Sequence, residues 1–250
     1  MGRLTAIALA AAALVGASPR AQAEPQALGR VLTAPTAWLP AAGTVLGSAS
    51  LDHRFDGAVG LTVGLGDLAA VEVGTDTDVR ACRACAGDEH ATWLARAAFR
   101  MGAPADAWFR GMPALALGVR TTFAGGDSRV SEAHVVASRA LGPVRLHAGA
   151  TLTAAGVTDA DGVEHTLAPA LRPLAGFEWT PARYPRTALL GDLAWVARLD
   201  AGGPRLEFLA GWGVRYQALR WAAIELGVRH RQDEGLGAST VLIRVNAVLH

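Results

Sequence analysis

Along residues 58–74, AVGLTVGLGDLAAVEVG, apolar and polar positions alternate in two runs hinged at Gly66-Asp67-Leu68. Val59, Leu61, Val63 and Leu65 share one face of the first run, and Gly60, Thr62, Gly64 and Gly66 share the other. In the second run, Val71 and Val73 oppose Glu72 and Gly74. Successive side chains of a strand point to opposite faces, so this stretch predicts a hairpin with one apolar face and one polar or tiny face.

The same period recurs to the C-terminus. It predicts further strands over 44–54, 91–101, 113–124, 132–141, 144–155, 168–179, 187–199, 205–217, 222–231 and 238–250, which with the hairpin makes twelve. The alternation is sharpest in 205–217, where Leu206, Phe208, Ala210, Trp212, Val214 and Tyr216 oppose Arg205, Glu207, Gly211, Gly213, Arg215 and Gln217. Pro169 and Pro173 each lack a ladder donor, so only the second half of 168–179 is predicted to be strand. Residues 75–90, 102–112, 125–131 and 156–166 read as connections.

Strands of this length suit a tilted membrane crossing, which needs about 9–11 residues. Soluble proteins favour about 5–6. The non-apolar face is mostly Gly, Ala, Thr and Ser with one or two charges of either sign per strand. Glu72, Arg96, Arg100, Arg120, Arg145, Asp192, Arg198, Glu207, Arg215, Glu225, Arg229 and Arg244 fall on it, as do Arg172 and Glu178. Opposite charges can pair across a small lumen, whereas the other face stays uncharged, as hydrocarbon requires. An even number of strands can close and leave no edge. The expected fold is all-β: a single transmembrane antiparallel up-and-down barrel over 44–250.

Composition sharpens this picture. The chain is 51% hydrophobic and only 18% charged, yet no stretch after the N-terminus approaches eighteen uninterrupted apolar residues. Apolar surface dispersed in small alternating doses is the signature of a barrel. The N-terminus has a basic start at Arg3, an apolar run over 4–15 and a small-x-small site at Ala21-Gln22-Ala23. These are the parts of a secretory signal peptide, with cleavage expected after Ala23. Its removal takes Arg3 and Arg20 and leaves 21 basic and 22 acidic residues, a balance with no bias towards nucleic acid. Residues 24–43, with Pro25, Pro35 and Pro40, read as an extended periplasmic leader.

Candidate chemistry outside the inner face is sparse. Cys82 and Cys85 form a C-x-x-C pair in a polar loop, and export favours a loop disulfide there over a metal site. His90 would be a third ligand where a closed zinc site wants four, so no metal and no cofactor are expected. Residues 157–165, VTDADGVEH, lack the spacing of a calcium loop. His53, His134, His147 and His230 stand beside no Ser in a recognisable motif, and no G-x-S-x-G is present, so an enzyme is not expected.

Over 44–250 the chain resembles the outer-membrane β-barrel proteins of Gram-negative bacteria in pattern, with no family-specific motif. Residues 32–37, LTAPTA, also resemble a Pro-Thr-Ala segment that leads into the first strand of several of them. Two departures are the scarcity of aromatics, 6%, and a last strand ending Val248-Leu249-His250 in place of an aromatic. The resemblance implies an outer-membrane location, partners in membrane lipid, lipopolysaccharide and the barrel-insertion machinery, and a porin-like channel for a small polar solute. It equally admits a non-conducting structural, adhesion or assembly barrel acting through its outer loops. A third implied class is the outer-membrane lipid hydrolases, whose nucleophilic Ser and base His sit on the outward barrel surface.

Overall fold

The ladder runs without a break in topology around a ring. The structure, a computed structural model, describes residues 28–66, 68–80, 94–123, 128–159, 161–200 and 202–249. Its strands are β1 (Val45–Asp52), β2 (Gly57–Gly64), β3 (Ala69–Asp76), β4 (Leu94–Ala103), β5 (Ala114–Phe123) and β6 (Arg129–Leu141). They continue as β7 (Val144–Thr158), β8 (Glu164–Trp179), β9 (Thr187–Asp200), β10 (Gly203–Leu219), β11 (Ala222–Arg231) and β12 (Thr240–Leu249). Each pairs antiparallel with its neighbours in sequence, and β12 returns to β1 from Val45↔Leu249 to Asp52↔Leu242. Closure supplies partners for backbone groups that an open edge would leave to the solvent.

Alternation sorts the side chains radially. On β5, Ala114, Ala116 and Thr122 are buried while Leu117, Val119 and Phe123 are exposed. On β10 and β11, Glu207, Arg215, Glu225 and Arg229 are buried, and Trp212, Val214, Tyr216, Ile224 and Leu226 are exposed. This inverts the order of a water-soluble protein. A continuous outer band of half-exposed Leu, Val, Phe and Trp is stable against hydrocarbon and is an association hazard in water.

One end of the barrel, the terminal end, holds the start of β1, the finish of β12 and the connections that follow β2, β4, β6, β8 and β10. Gly66 (φ 79°) and Gly142 (φ 59°) take up the left-handed backbone in two of its tight turns. The 104–113 turn carries Trp108 and Phe109, both exposed. The opposite, loop end carries 53–56, 77–80, 161–163 and 232–239 among the described residues.

Three expectations are corrected. Strand β8 begins at Glu164 and passes straight through Pro169 and Pro173. It can do so because β8 pairs with β9 only from Ala175↔Leu193 to Trp179↔Leu189, so both prolines lie where no β9 neighbour asks for a donor. The loop expected over 156–166 is shortened from both sides, since β7 extends to Thr158 and β8 begins at Glu164. The leader does not stay outside the barrel. Val31, Leu32, Ala34 and Thr36 are fully buried within it, where Ala34 and Ala37 pack on Ala114, Ala116, Val136 and Leu174, and Val31 and Leu32 pack on Leu190. These inward aliphatic side chains give a peptide a dry surface that an aqueous leader would lack. The predicted signal peptide lies outside the described residues.

The loop end is also closed from within. Ala197 and Leu199 occupy outward positions of β9 yet are buried, in a cluster with the inward-facing Leu94, Val130, Ala155 and Val157 and with Val79. The ends of β9 and β10 therefore bend across the mouth, and residue 80 pairs with residue 198 along the freed edge of β9.

The barrel's curvature depends on close backbone approaches. A Cβ at Gly149 would run into the carbonyl oxygen of Val135 on β6. Gly149→Ala should therefore destabilise the folded barrel by about 1–3 kcal/mol, read as a lower urea midpoint for the loss of the compact, heat-modifiable band on a gel.

Candidate functional site: the barrel interior

The N-terminal segment enters from the terminal end and doubles back on itself. Thr36 donates its N–H to the Gly29 carbonyl at 3.0 Å, and Val31 donates to Ala34 at 2.9 Å, closing a tight loop over 29–36. At its tip the N–H groups of Leu32, Thr33 and Ala34 all point at one oxygen, Asp192 Oδ2, at 3.0, 2.6 and 2.8 Å. Three donors converging on a carboxylate are a strong charge-assisted arrangement. The carbonyls of the same segment face arginines. Arg244 Nη2 donates to Leu32 O at 2.9 Å, and Arg100 Nη1 donates to Gly29 O at 2.9 Å.

Side chains of the wall then connect into chains of alternating charge. Arg215 donates through Nε to Glu225 at 2.6 Å and through Nη1 to Glu178 at 3.1 Å, while Arg244 takes the other Glu225 oxygen at 3.0 Å. Glu72 pairs with Arg96, and Arg120 with Glu132. Asp76 accepts from Thr122 Oγ1 at 2.9 Å and lies 3.8 Å from Arg96. Burial of so many charges is tolerable because each is answered by opposite charge or backbone dipole within the same layer.

The chain leaving β3 crosses the interior from the other side. Asp78 pairs with Arg229, its carbonyl accepts from Arg231 Nη2 at 2.9 Å, and Arg231 pairs with Glu207. Arg80 reaches Glu207 at 3.8 Å and pairs with Glu234. The two inner segments meet where Arg30 Nη1 lies 3.7 Å from Asp78 Oδ2. At the rim, Asp233 gathers Arg198, with Arg80 at 3.7 Å and Arg205 at 3.9 Å. Partial desolvation opposes ionisation of Asp233, but Arg80 and then Arg198 hold its carboxyl below the usual carboxylate range.

Of the residues picked out by alternation, Glu72 and Arg96 come together, as do Arg215, Glu225 and Arg244. Asp192 binds backbone rather than an arginine, Arg100 caps Gly29, and Arg145 stacks over Trp38 at 6.0 Å while lying 3.8 Å from Glu178. Arg120, Glu207 and Arg229 pair with Glu132, Arg231 and Asp78, and Arg198 belongs to the rim. Alternation missed Arg30, Asp78 and Arg80, which lie outside strands and carry no period. Cys82 and Cys85 lie outside the described residues.

Register also pairs Ser138 with His147 across β6 and β7. Ser138 Oγ accepts the Ala37 N–H at 2.8 Å and hydrogen-bonds His147 Nδ1 at 2.7 Å, with Glu178 Oε1 3.8 Å from Nε2. A nucleophile needs an open approach to its hydroxyl. Here Ala37 covers that hydroxyl, and the row serves as an anchor for the inner segment. It faces the interior, not the outer surface.

No family model matches the chain, and no curated protein is similar to it in sequence. Solved structures are similar in fold. The KdgM porin in complex with disordered oligogalacturonate shares 6% identity at a TM-score of 0.53, over 83% of this chain and 99% of that one. The NanC porin shares 9% identity at a TM-score of 0.53, over 82% of this chain and 98% of that one. The fold is that of the small porin barrels.

Two outcomes test this geometry. Asp192→Ala removes a charged acceptor from three N–H groups and should loosen the inner segment by about 2–3 kcal/mol, seen as faster hydrogen exchange at Leu32–Ala34 with the barrel intact. The Asp233 contribution is present above the unfolded carboxylate value of about 3.9 and is lost as pH falls through the lowered folded value. Exchange at residues 197–199 should therefore rise only in strong acid, and Asp233→Asn should give the same rise at neutral pH.

Proposed function

We propose that this chain is an outer-membrane β-barrel of a Gram-negative bacterium that works as a narrow, porin-like channel for a small polar solute. The observation that carries the reading is the inner wall, which presents matched arginines and carboxylates from the terminal end to the rim inside an apolar outer band. A wall of that chemistry hydrates when vacated, and a solute bearing charge or hydroxyl groups can exchange contacts along it. Twelve strands lie between the eight that side chains fill and the sixteen that enclose an aqueous channel. On this reading export uses the signal peptide cleaved after Ala23, and Cys82 and Cys85 close a loop disulfide. The terminal end faces the periplasm, and lipopolysaccharide and the insertion machinery are the partners of the outer wall and the last strand.

The interior segments make this a gated channel, with 28–38 closing the terminal half and 77–80 the loop half. The same closure favours a second reading, a non-conducting barrel whose loops do the work. The two part in planar bilayers. Purified full chain should show rare, small openings, and deletion of residues 28–38 should give frequent, larger steps, with Asp192→Ala between them. A deletion variant that inserts as a folded barrel and still passes no ions sinks the channel reading and leaves the second.

A further inference from the structure

Charge is answered inside the barrel and at its loop end, but not at the terminal rim. At the loop end Arg54 and Arg80 meet Glu234, and Arg198 and Arg205 meet Asp233. The terminal connections carry Arg110, Arg183, Arg186 and Arg220, and Arg139 stands two residues before the end of β6. All five are exposed, and none forms an ion pair among the described residues. Asp106 is the only carboxylate of these connections among the described residues, and its Oδ1 accepts the Gly111 N–H. The rim is left with an excess of cations.

Arg139 is the one of the five on the lipid-facing side of a strand. It pairs with Leu146 on β7, which pairs with Phe177 on β8, and both of these are exposed members of the outer band. Directly paired residues share a face, so Arg139 belongs to the same outward row. A long side chain at the end of an apolar row lays its stem on the wall and lifts its charge towards the head-group level. Its guanidinium rises to the 104–113 connection: a Cβ at Gly111 would stand 3.6 Å from Nη2 and 3.7 Å from Nη1.

That connection is a folded ledge. Asp106 donates its N–H to Met112 O at 3.1 Å, Met112 donates to Phe109 O at 3.2 Å, and the Met112 side chain is buried. The fold holds Trp108 and Phe109 outward, 73% and 63% exposed, with Arg110 next in the chain. Aromatic rings beside arginines suit the boundary between acyl chains and phosphates.

We propose that the 104–113 ledge and Arg139 form a head-group site for an anionic phospholipid of the phosphatidylglycerol type. Arg139 and Arg110 meet its phosphate, which guanidinium donors match in charge and geometry, and Trp108 and Phe109 lie along its glycerol and upper acyl chains. A zwitterionic lipid would bring a second cation against the two arginines, so the site selects net negative charge. The proposal rests on the outer band facing lipid, which puts this ledge at the periplasmic leaflet, and it stands whether or not the lumen conducts.

The test titrates the full chain in a neutral maltoside detergent with dioleoyl phosphatidylglycerol or dioleoyl phosphatidylcholine and counts bound lipid by native mass spectrometry. The first phosphatidylglycerol should bind more tightly than the first phosphatidylcholine. Arg110→Gln with Arg139→Gln should weaken phosphatidylglycerol about tenfold, the loss of hydrogen bonds to a charged group, and leave phosphatidylcholine unchanged. Trp108→Ala should weaken both lipids. Arg183→Gln with Arg186→Gln, on another turn of the same rim, should leave both as in wild type, and heat-modifiable migration confirms that each variant is a folded barrel. Equal affinity for the two lipids, indifference to the first pair of substitutions, or an equal loss from the second pair overturns the assignment. Displacement by lipid A at lower concentration than by unlabelled phosphatidylglycerol also overturns it, giving the site to the other leaflet. A chain that remains soluble and monomeric without detergent fails the membrane reading itself, which separates that failure from failure of the site.

Discussion

A carboxylate drawn out of water must find donors, and Asp192 finds three on the chain's own backbone. That requirement organises the terminal half of the molecule. With Asp192 facing inward on a strand, the interior holds an acid that a porous lumen would have to hydrate. The tip of the 29–36 loop supplies N–H groups in place of water, and its carbonyls are then answered by Arg244 and Arg100. Ala34 and Ala37 fill the space between with dry contacts on Ala114, Val136 and Leu174. Polar satisfaction fixes where the segment sits, and apolar burial supplies much of the reason for its staying.

The strands were legible in the sequence because a barrel asks the same question at every second residue. Leu206 to Tyr216 could be assigned to a face without knowing anything distant, and the inward charges followed from the same parity. The inner segment could not be found that way. Residues 28–38 have no period, and their partners lie some 70 to 210 positions away, as Arg100 and Arg244 show. The nearest signal was the run 32–37, whose small side chains suit a confined space. Asp192 appeared as one more acid of the wall, and only the backbone of a remote segment reveals its partner. In sequence Pro169 and Pro173 look like interruptions of a strand, whereas they mark the margin of a strand that lacks a neighbour.

The inward bend of β9 connects several of these features. It frees the edge of β8, turns the outward positions Ala197 and Leu199 into interior ones, and presents a backbone edge that residue 80 occupies. A ladder is a cooperative object, so a half-paired seam is a place where the ring can breathe without being undone. The five pairs that remain, near the terminal end, keep the ring hydrogen-bonded in register while the loop end differs.

The contact between Arg30 and Asp78 joins two pieces of chain that reach the middle from opposite mouths. Were they independent, each would open on its own schedule and passage would need both to be open at once. Joined, each contributes to the other's resting position, and by reciprocity whatever displaces one lowers the work of displacing the other by the same amount. A molecule that displaced either segment would thereby be felt at the far mouth. The barrel would then behave as a single two-ended sensor, its threshold set by one ion pair near its centre.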